Sequence, residues 1–162
     1  MKIAILGSGN VAYHLAKMFK EKNIPISQIF GRNEKDLQEI SEQFEIPFST
    51  TELADAELYF IAVNDDAVAA ISKNIKNQNS LVAHTSGSLP KEILEGNYRK
   101  ASFYPLQTFS KSKMLQYSEI PFFVEAENEE DSQILENLAL KISEKVMKSD
   151  YEKRKYIHIT AV

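Results

Sequence analysis

Short apolar runs alternate along this chain with stretches whose apolar residues recur every three or four positions, the pattern of buried strands alternating with amphipathic helices. Residues 2–6 predict a first strand, and Val11, Leu15, Met18 and Phe19 then fall on one helical face. Residues 26–30 predict a second strand, followed by a helix with Leu37, Ile40 and Phe44 inward and Asn33 placed to cap it. A short strand at 46–48 and a short helix from Thr51 lead to residues 58–63, LYFIAV, apolar on both faces as the centre of a parallel sheet requires.

Asp65 or Asp66 is placed to cap the next helix, with Val68, Ile71 and Ile75 inward, and residues 80–85 predict a fifth strand. Two further strands are predicted at 101–104 and 122–125, separated by a polar stretch holding YPLQTF at 104–109. A helix follows from about Glu129, with Leu135, Leu138 and Ile142 inward. Ser149 and Glu152 have the S-x-x-E form of a capping box, so a last helix is expected there. Its end, YIHITAV, is apolar with nothing after it to pack on. The chain is therefore divided into a first domain at 1–148 and, at 149–162, the first turns of a further helical segment, otherwise absent. The fold class is α/β: a doubly wound, mostly parallel sheet with helices on both faces, ending in the start of a further helix.

Composition narrows the chemistry. With 162 residues, 43% of them hydrophobic, the chain can bury a core without staples. Its formal net charge of −4, with both signs interspersed, offers no footprint for nucleic acid. No apolar run approaches the roughly 20 residues that cross a bilayer, and no basic leader precedes the first strand, so a cytoplasmic protein without a membrane partner is expected. There is no cysteine, and the three histidines have no ligand spacing, so no metal site is expected. Chemistry must come from hydroxyls, amides, a histidine or a borrowed cofactor.

The stretch KIAILGSGNVAYHLA supplies the candidate for borrowing. Gly7-x-Gly9-x-x-Ala12 has the G-x-G-x-x-A form that seats a dinucleotide between a strand and a helix. Gly7 permits the tight turn, Gly9 removes the β-carbon that would block a pyrophosphate, and Ala12 lets helix and strand approach. Ser8, Asn10 and Val11 then lie beside the anion, which faces free amides at the helix start. A turn of the same shape with no ligand is the alternative. At the end of the second strand, where NAD-binding folds carry Asp or Glu on the ribose, the residue is Arg32; with Asn33 and Lys35 it favours the 2′-phosphate of NADP. Flavin or S-adenosylmethionine would want an acid there instead.

Ligands of doubly wound sheets lie outside the carboxyl ends of the strands, which places Val63, Asn64, Thr85, Ser86 and Gly87 along the crevice. Asn64 and Ser86 are candidates to bond a carboxamide or substrate, while Asp65 and Ser88 read as helix caps. His84 reads as a buried, hydrogen-bonded histidine and His14 as surface or packing. His158, on the final helix, is a candidate proton donor to a carbonyl or imine, although an exposed histidine is the alternative.

The segments ILGSGNVAYHLA, IFGRN, FIAVNDDAV, HTSGSLP, YPLQTFS and KRKYIHITAV together resemble bacterial Rossmann-like NADP-binding proteins with a helical C-terminal domain of unknown function. These are similar to pyrroline-5-carboxylate reductases and deazaflavin-dependent NADP reductases. The resemblance implies a sheet continuing past the fifth strand, a helical second domain used for homodimerisation, and an active site between the two. It places Tyr104, Pro105 and Gln107 on the crevice floor, with Gln107 the polar contact. The function expected is an NADP(H)-binding domain of an oxidoreductase acting on a small-molecule C=O or C=N substrate. A non-catalytic NADP-binding sensor or scaffold remains the alternative.

Overall fold

The computed structural model describes residues 1–161. Eight strands form one sheet: β1 Ile3–Leu6, β2 Gln28–Phe30, β3 Phe48–Ser49, β4 Leu58–Ile61, β5 Leu81–His84, β6 Arg99–Pro105, β7 Phe122–Ala126 and β8 Val146–Lys148. Their spatial order is β3-β2-β1-β4-β5-β6-β7-β8, with β1 to β6 mutually parallel, β7 antiparallel to β6, and β8 parallel to β7. The order reverses between β1 and β4, which creates a crevice at their carboxyl ends. The mostly parallel α/β fold expected from the pattern is the one observed.

Helices α1 Asn10–Glu21, α2 Glu34–Phe44 and α4 Glu129–Leu140 cover one face through Leu15, Met18, Phe19, Leu37, Ile40 and Leu135, all fully buried. They pack on Ile5, Phe60, Ala83, Phe103 and Phe122. The short helix α3 Val68–Ser72 covers the opposite face over Leu6, Tyr59, Ile61 and Val82. Strands buried on both sides explain why LYFIAV carries no alternation, and β4 does lie between β1 and β5.

Local side-chain hydrogen bonds account for three differences from the pattern. No helix starts at Thr51; the Ser49 hydroxyl accepts from the amides of Thr51 and Glu52, and the Tyr59 hydroxyl bridges Ala54 and Ala56, so local side chains replace a helical ladder. Asp65 and Ser88 do not cap helices. Ser88 donates instead to Asp65 Oδ2, joining the loops after β4 and β5. In the last helix, α5 Tyr151–Ala161, Asp150 Oδ1 rather than Ser149 accepts the Lys153 amide at 2.7 Å. β8 was not expected at all: it has three residues, two of them exposed.

Helix α5 lies against the face of β6 and β7 opposite α4. Arg154, with no exposed surface, reaches Glu125 of β7 at 3.1 Å and the Leu89 carbonyl. Val162, the last residue of the expected helical segment, lies outside the described residues.

Candidate functional site

At the end of β1, Gly7 adopts φ +131, and a β-carbon there would overlap the Ala62 carbonyl oxygen at the end of β4. The turn therefore presses the two strand ends together as only glycine permits. Gly9 is the N-cap of α1 in extended conformation with no side-chain bond to the amides that follow. A β-carbon on Gly9 would meet nothing within 4 Å, and the first turn of α1 holds no acidic residue. Unclaimed amides, open space and a positive helix end together make a seat for an anion.

This seat is one end of a cavity of about 820 Å³. Gly7, Ser8, Gly9, Asn10 and Val11 line it at α1; Arg32 and Asn33 line it at α2; Val63, Asn64 and Gln107 line it at the carboxyl edge of the sheet. These are ten of the thirteen residues that the sequence assigned to the site. Arg32 is exposed at the mouth. Asn33 Oδ1 caps α2 by accepting the Asp36 amide at 3.1 Å, so that helix also points its amino end at the cavity.

The other three assigned residues lie elsewhere along the same edge. Thr85 donates its hydroxyl to the Ile61 carbonyl. The Ser86 hydroxyl accepts the amides of Ser88 and Leu89 at 3.1 and 3.2 Å, which commits it to holding the loop. His158 lies over Gly87, its Nδ1 2.7 Å from the Tyr104 hydroxyl.

Sequence reasoning missed several contributors. Asp36 and Thr50 also line the cavity, and Ala67, Ala70, Ile71 and Asn74 build a wall from α3 and the residues flanking it. Phe109 also reaches the cavity; of the three residues of YPLQTF expected on the crevice floor, Gln107 lines the cavity and Tyr104 and Pro105 do not. The inward spacing of Ala67, Ala70, Ile71 and Asn74 is the helical signal that was available.

Two histidines are structural, for different reasons. The Nδ1 of His84 accepts the Ser86 amide and its Nε2 donates to the Pro90 carbonyl, both at 3.1 Å, so the imidazole is held neutral. Burial, with the nearby Arg154 charge adding, pushes it down to about 4. His14 is fully buried, the packing alternative of the two expected for it: Nε2 donates to the Ser110 carbonyl at 2.7 Å and Nδ1 accepts from the Tyr117 hydroxyl at 2.6 Å. It ties the loop carrying Gln107 and Phe109 to α1.

A glycine turn at the crossover of a doubly wound sheet, with the amino ends of two helices lining one cavity, defines a Rossmann-like nucleotide-binding domain of NAD(P)-dependent oxidoreductases. The chain belongs to the family described as NADP oxidoreductase, coenzyme F420-dependent, whose model matches residues 2–87. It is similar to a Bacteroides fragilis protein assigned as an NADP oxidoreductase, at 34% identity and TM-score 0.91, over 99% of this chain and 65% of that one. A Thermotoga maritima protein superposes with TM-score 0.82 at 24% identity, over 99% of this chain and 62% of that one. A pyrroline-5-carboxylate reductase of Coxiella burnetii shares the fold with TM-score 0.73 at 14% identity, over 94% of this chain and 60% of that one. The chain thus spans less than two thirds of each of these proteins. No curated protein matches it. No helix among the described residues is long and apolar enough to cross a membrane.

Proposed function

We propose that the chain is the cofactor-binding part of an NADP(H)-dependent oxidoreductase that moves hydride between the nicotinamide and a small C=O or C=N substrate. The observation that carries this reading is the single cavity running from the bare turn at Gly7 and Gly9 to Arg32 at the amino end of α2. Its volume suits a dinucleotide-sized ligand. The open side of Gly9 would admit a diphosphate to the first amides of α1. Phe30 and Ile71 offer an apolar wall for an adenine ring.

Arg32 supports NADP over NAD. It lies two residues past the end of β2, where an acid would bond the two ribose hydroxyls of NAD, and its guanidinium suits a 2′-phosphate instead. Bound NADPH would supply the hydride. The protein's part is to seat the diphosphate, grip the extra phosphate, and offer Asn64 and Gln107 to the carboxamide or the substrate.

In the same reading the partner is a second copy of the chain, met through the C-terminal helical region. The exposed Tyr156 and Ile159 on α5 support that surface. The test of function is a fluorescence titration with NADPH. Binding in the micromolar range is expected, and a folded sample that fails to bind at hundreds of micromolar overturns the reading.

A further inference from the structure

Register sets Ile61 beside His84 and His84 beside Ser102. Val63, Ser86 and Tyr104, each two residues further on, are therefore level at the carboxyl edge. With neighbouring strands about 4.8 Å apart, Tyr104 stands roughly 10 Å from the Val63 wall of the cavity. There its hydroxyl lies 2.7 Å from His158 Nδ1, the two rings meeting edge-on at 5.6 Å.

Gly87 makes this meeting possible. A β-carbon at that position would come within 2.6 Å of both His158 Nδ1 and the Tyr104 ring. One turn back on α5, Arg154 holds Glu125 of β7 and the Leu89 carbonyl, fixing the helix to the sheet and to the loop that carries Gly87. The imidazole is thus aimed by its helix on one side and by a phenol on the other.

We propose that His158 is the proton donor of this site and Tyr104 the positioning residue that orients its imidazole, an inference that rests on the hydride-transfer reading above. As hydride arrives at the carbon of a C=O or C=N bond, the π pair moves to the heteroatom, which takes one proton from Nε2 of the His158 imidazolium. The ring is left neutral, its remaining proton on Nδ1 and donated to the Tyr104 oxygen. In the oxidation direction the neutral ring takes the proton as the O–H or N–H bond breaks and hydride leaves the carbon for the nicotinamide.

A phenol suits the positioning task. Its oxygen accepts from Nδ1–H and its hydroxyl donates to a bare Nδ1, so the bond survives either charge state of the ring. Burial pushes the Tyr104 phenol up and keeps it protonated, with Arg154 opposing and Asp65 reinforcing the effect. Those two charges, from α5 and from the loop after β4, are the ones that bear on the Tyr104 phenol.

The test follows the His158 ring by NMR with carbon-13-labelled histidine, assigned through His158→Gln, and needs no turnover. Tyr104→Phe is expected to move the His158 titration midpoint by at least about half a pH unit, with NADPH affinity held within about twofold. Gly87→Ala, which parts the pair from outside, should move the midpoint likewise. The positive charge of oxidised nicotinamide should lower the midpoint in the NADP complex by about 0.3 units or more against the NADPH complex. If the wild type binds NADPH while the midpoint ignores both the variants and the oxidation state, the pairing is overturned and the nucleotide reading stands. If NADPH does not bind, both fall.

Discussion

The carbonyl oxygen of Ala62 occupies the place that a side chain on Gly7 would need: a β-carbon there would lie 2.1 Å from it. Two strands that are 50-odd residues apart in sequence are thereby clamped at the point where the sheet reverses its order, and the cavity opens beside the clamp.

The two glycines of the turn should therefore fail in different ways. Gly7→Ala meets both the Ala62 carbonyl and a positive φ, and is expected to cost about 3–5 kcal/mol, a fall in melting temperature on the order of 10 °C. Gly9 has an extended φ of −85 and open space around it, so Gly9→Ala should leave the melting temperature nearly unchanged. Its β-carbon would instead stand in the anion seat and weaken NADPH binding by tenfold or more, on the order of 1.4 kcal/mol. Thermal unfolding and NADPH titration on the two variants separate the effects; similar melting losses for both would contradict the clamp.

In the proposed reading Arg32 grips the 2′-phosphate, and its replacement tests that role. Charge-assisted bonds to a phosphate are worth about 1.5–3 kcal/mol, so Arg32→Asp should weaken NADPH by roughly 10- to 100-fold. NADH, which lacks that phosphate, should lose far less. Wild-type NADPH affinity should also fall with added salt more steeply than NADH affinity, because the mouth of the cavity is exposed. Equal losses for both nucleotides in Arg32→Asp would show that the guanidinium does not touch the 2′-phosphate.

The parts of this molecule that could be read from sequence are those set by local periodicity. The first βαβ unit was legible because its strands are continuous apolar runs and its glycines mark one turn, and the cap at Asn33 was legible because Asn competes for a helix amide. β8 gave no signal, since three half-exposed residues on an edge match no template. The pairing of Tyr104 with His158 spans 54 residues and exists only because α5 folds back on the sheet. Nothing in the local pattern around Arg154 signals that its guanidinium is buried, because its partners Glu125 and Leu89 lie on other elements. Asp65 and Ser88 were misread because a side chain that suits a helix cap suits a loop-to-loop bond equally well.

His84 makes stability fall with acid. Its folded value near 4 lies below the ordinary 6.5, so between those values the unfolded chain binds the extra proton and the folded chain does not. Stability from this group is complete above about pH 6.5 and is lost as pH falls toward 4, by about 2–3 kcal/mol. His14, also pushed down by burial, acts in the same sense. Urea unfolding at pH 7.5 and 4.5 should show the loss, and His84→Asn should flatten it. An unchanged pH dependence in that variant would mean that His84 is not the group responsible.

Arg154 is the buried charge on which the seating of α5 depends. Its guanidinium has no exposed surface, and its partner Glu125 has a side chain only 14% exposed. Removing one member leaves the other poorly solvated, so Arg154→Met is expected to destabilise by about 3–5 kcal/mol. Replacing both, Arg154→Met with Glu125→Leu, removes the stranded carboxylate and should recover at least half of that loss. The Leu89 carbonyl would still lack its donor in the double variant, so recovery should stay incomplete. Urea unfolding of the two single variants and the double variant gives the coupling. Protease cutting within α5 shows whether the helix has come away from β7. If the double variant is no better than Arg154→Met, the ion pair contributes little, and the helix is held by the bond to Leu89 and by packing along the arginine stem.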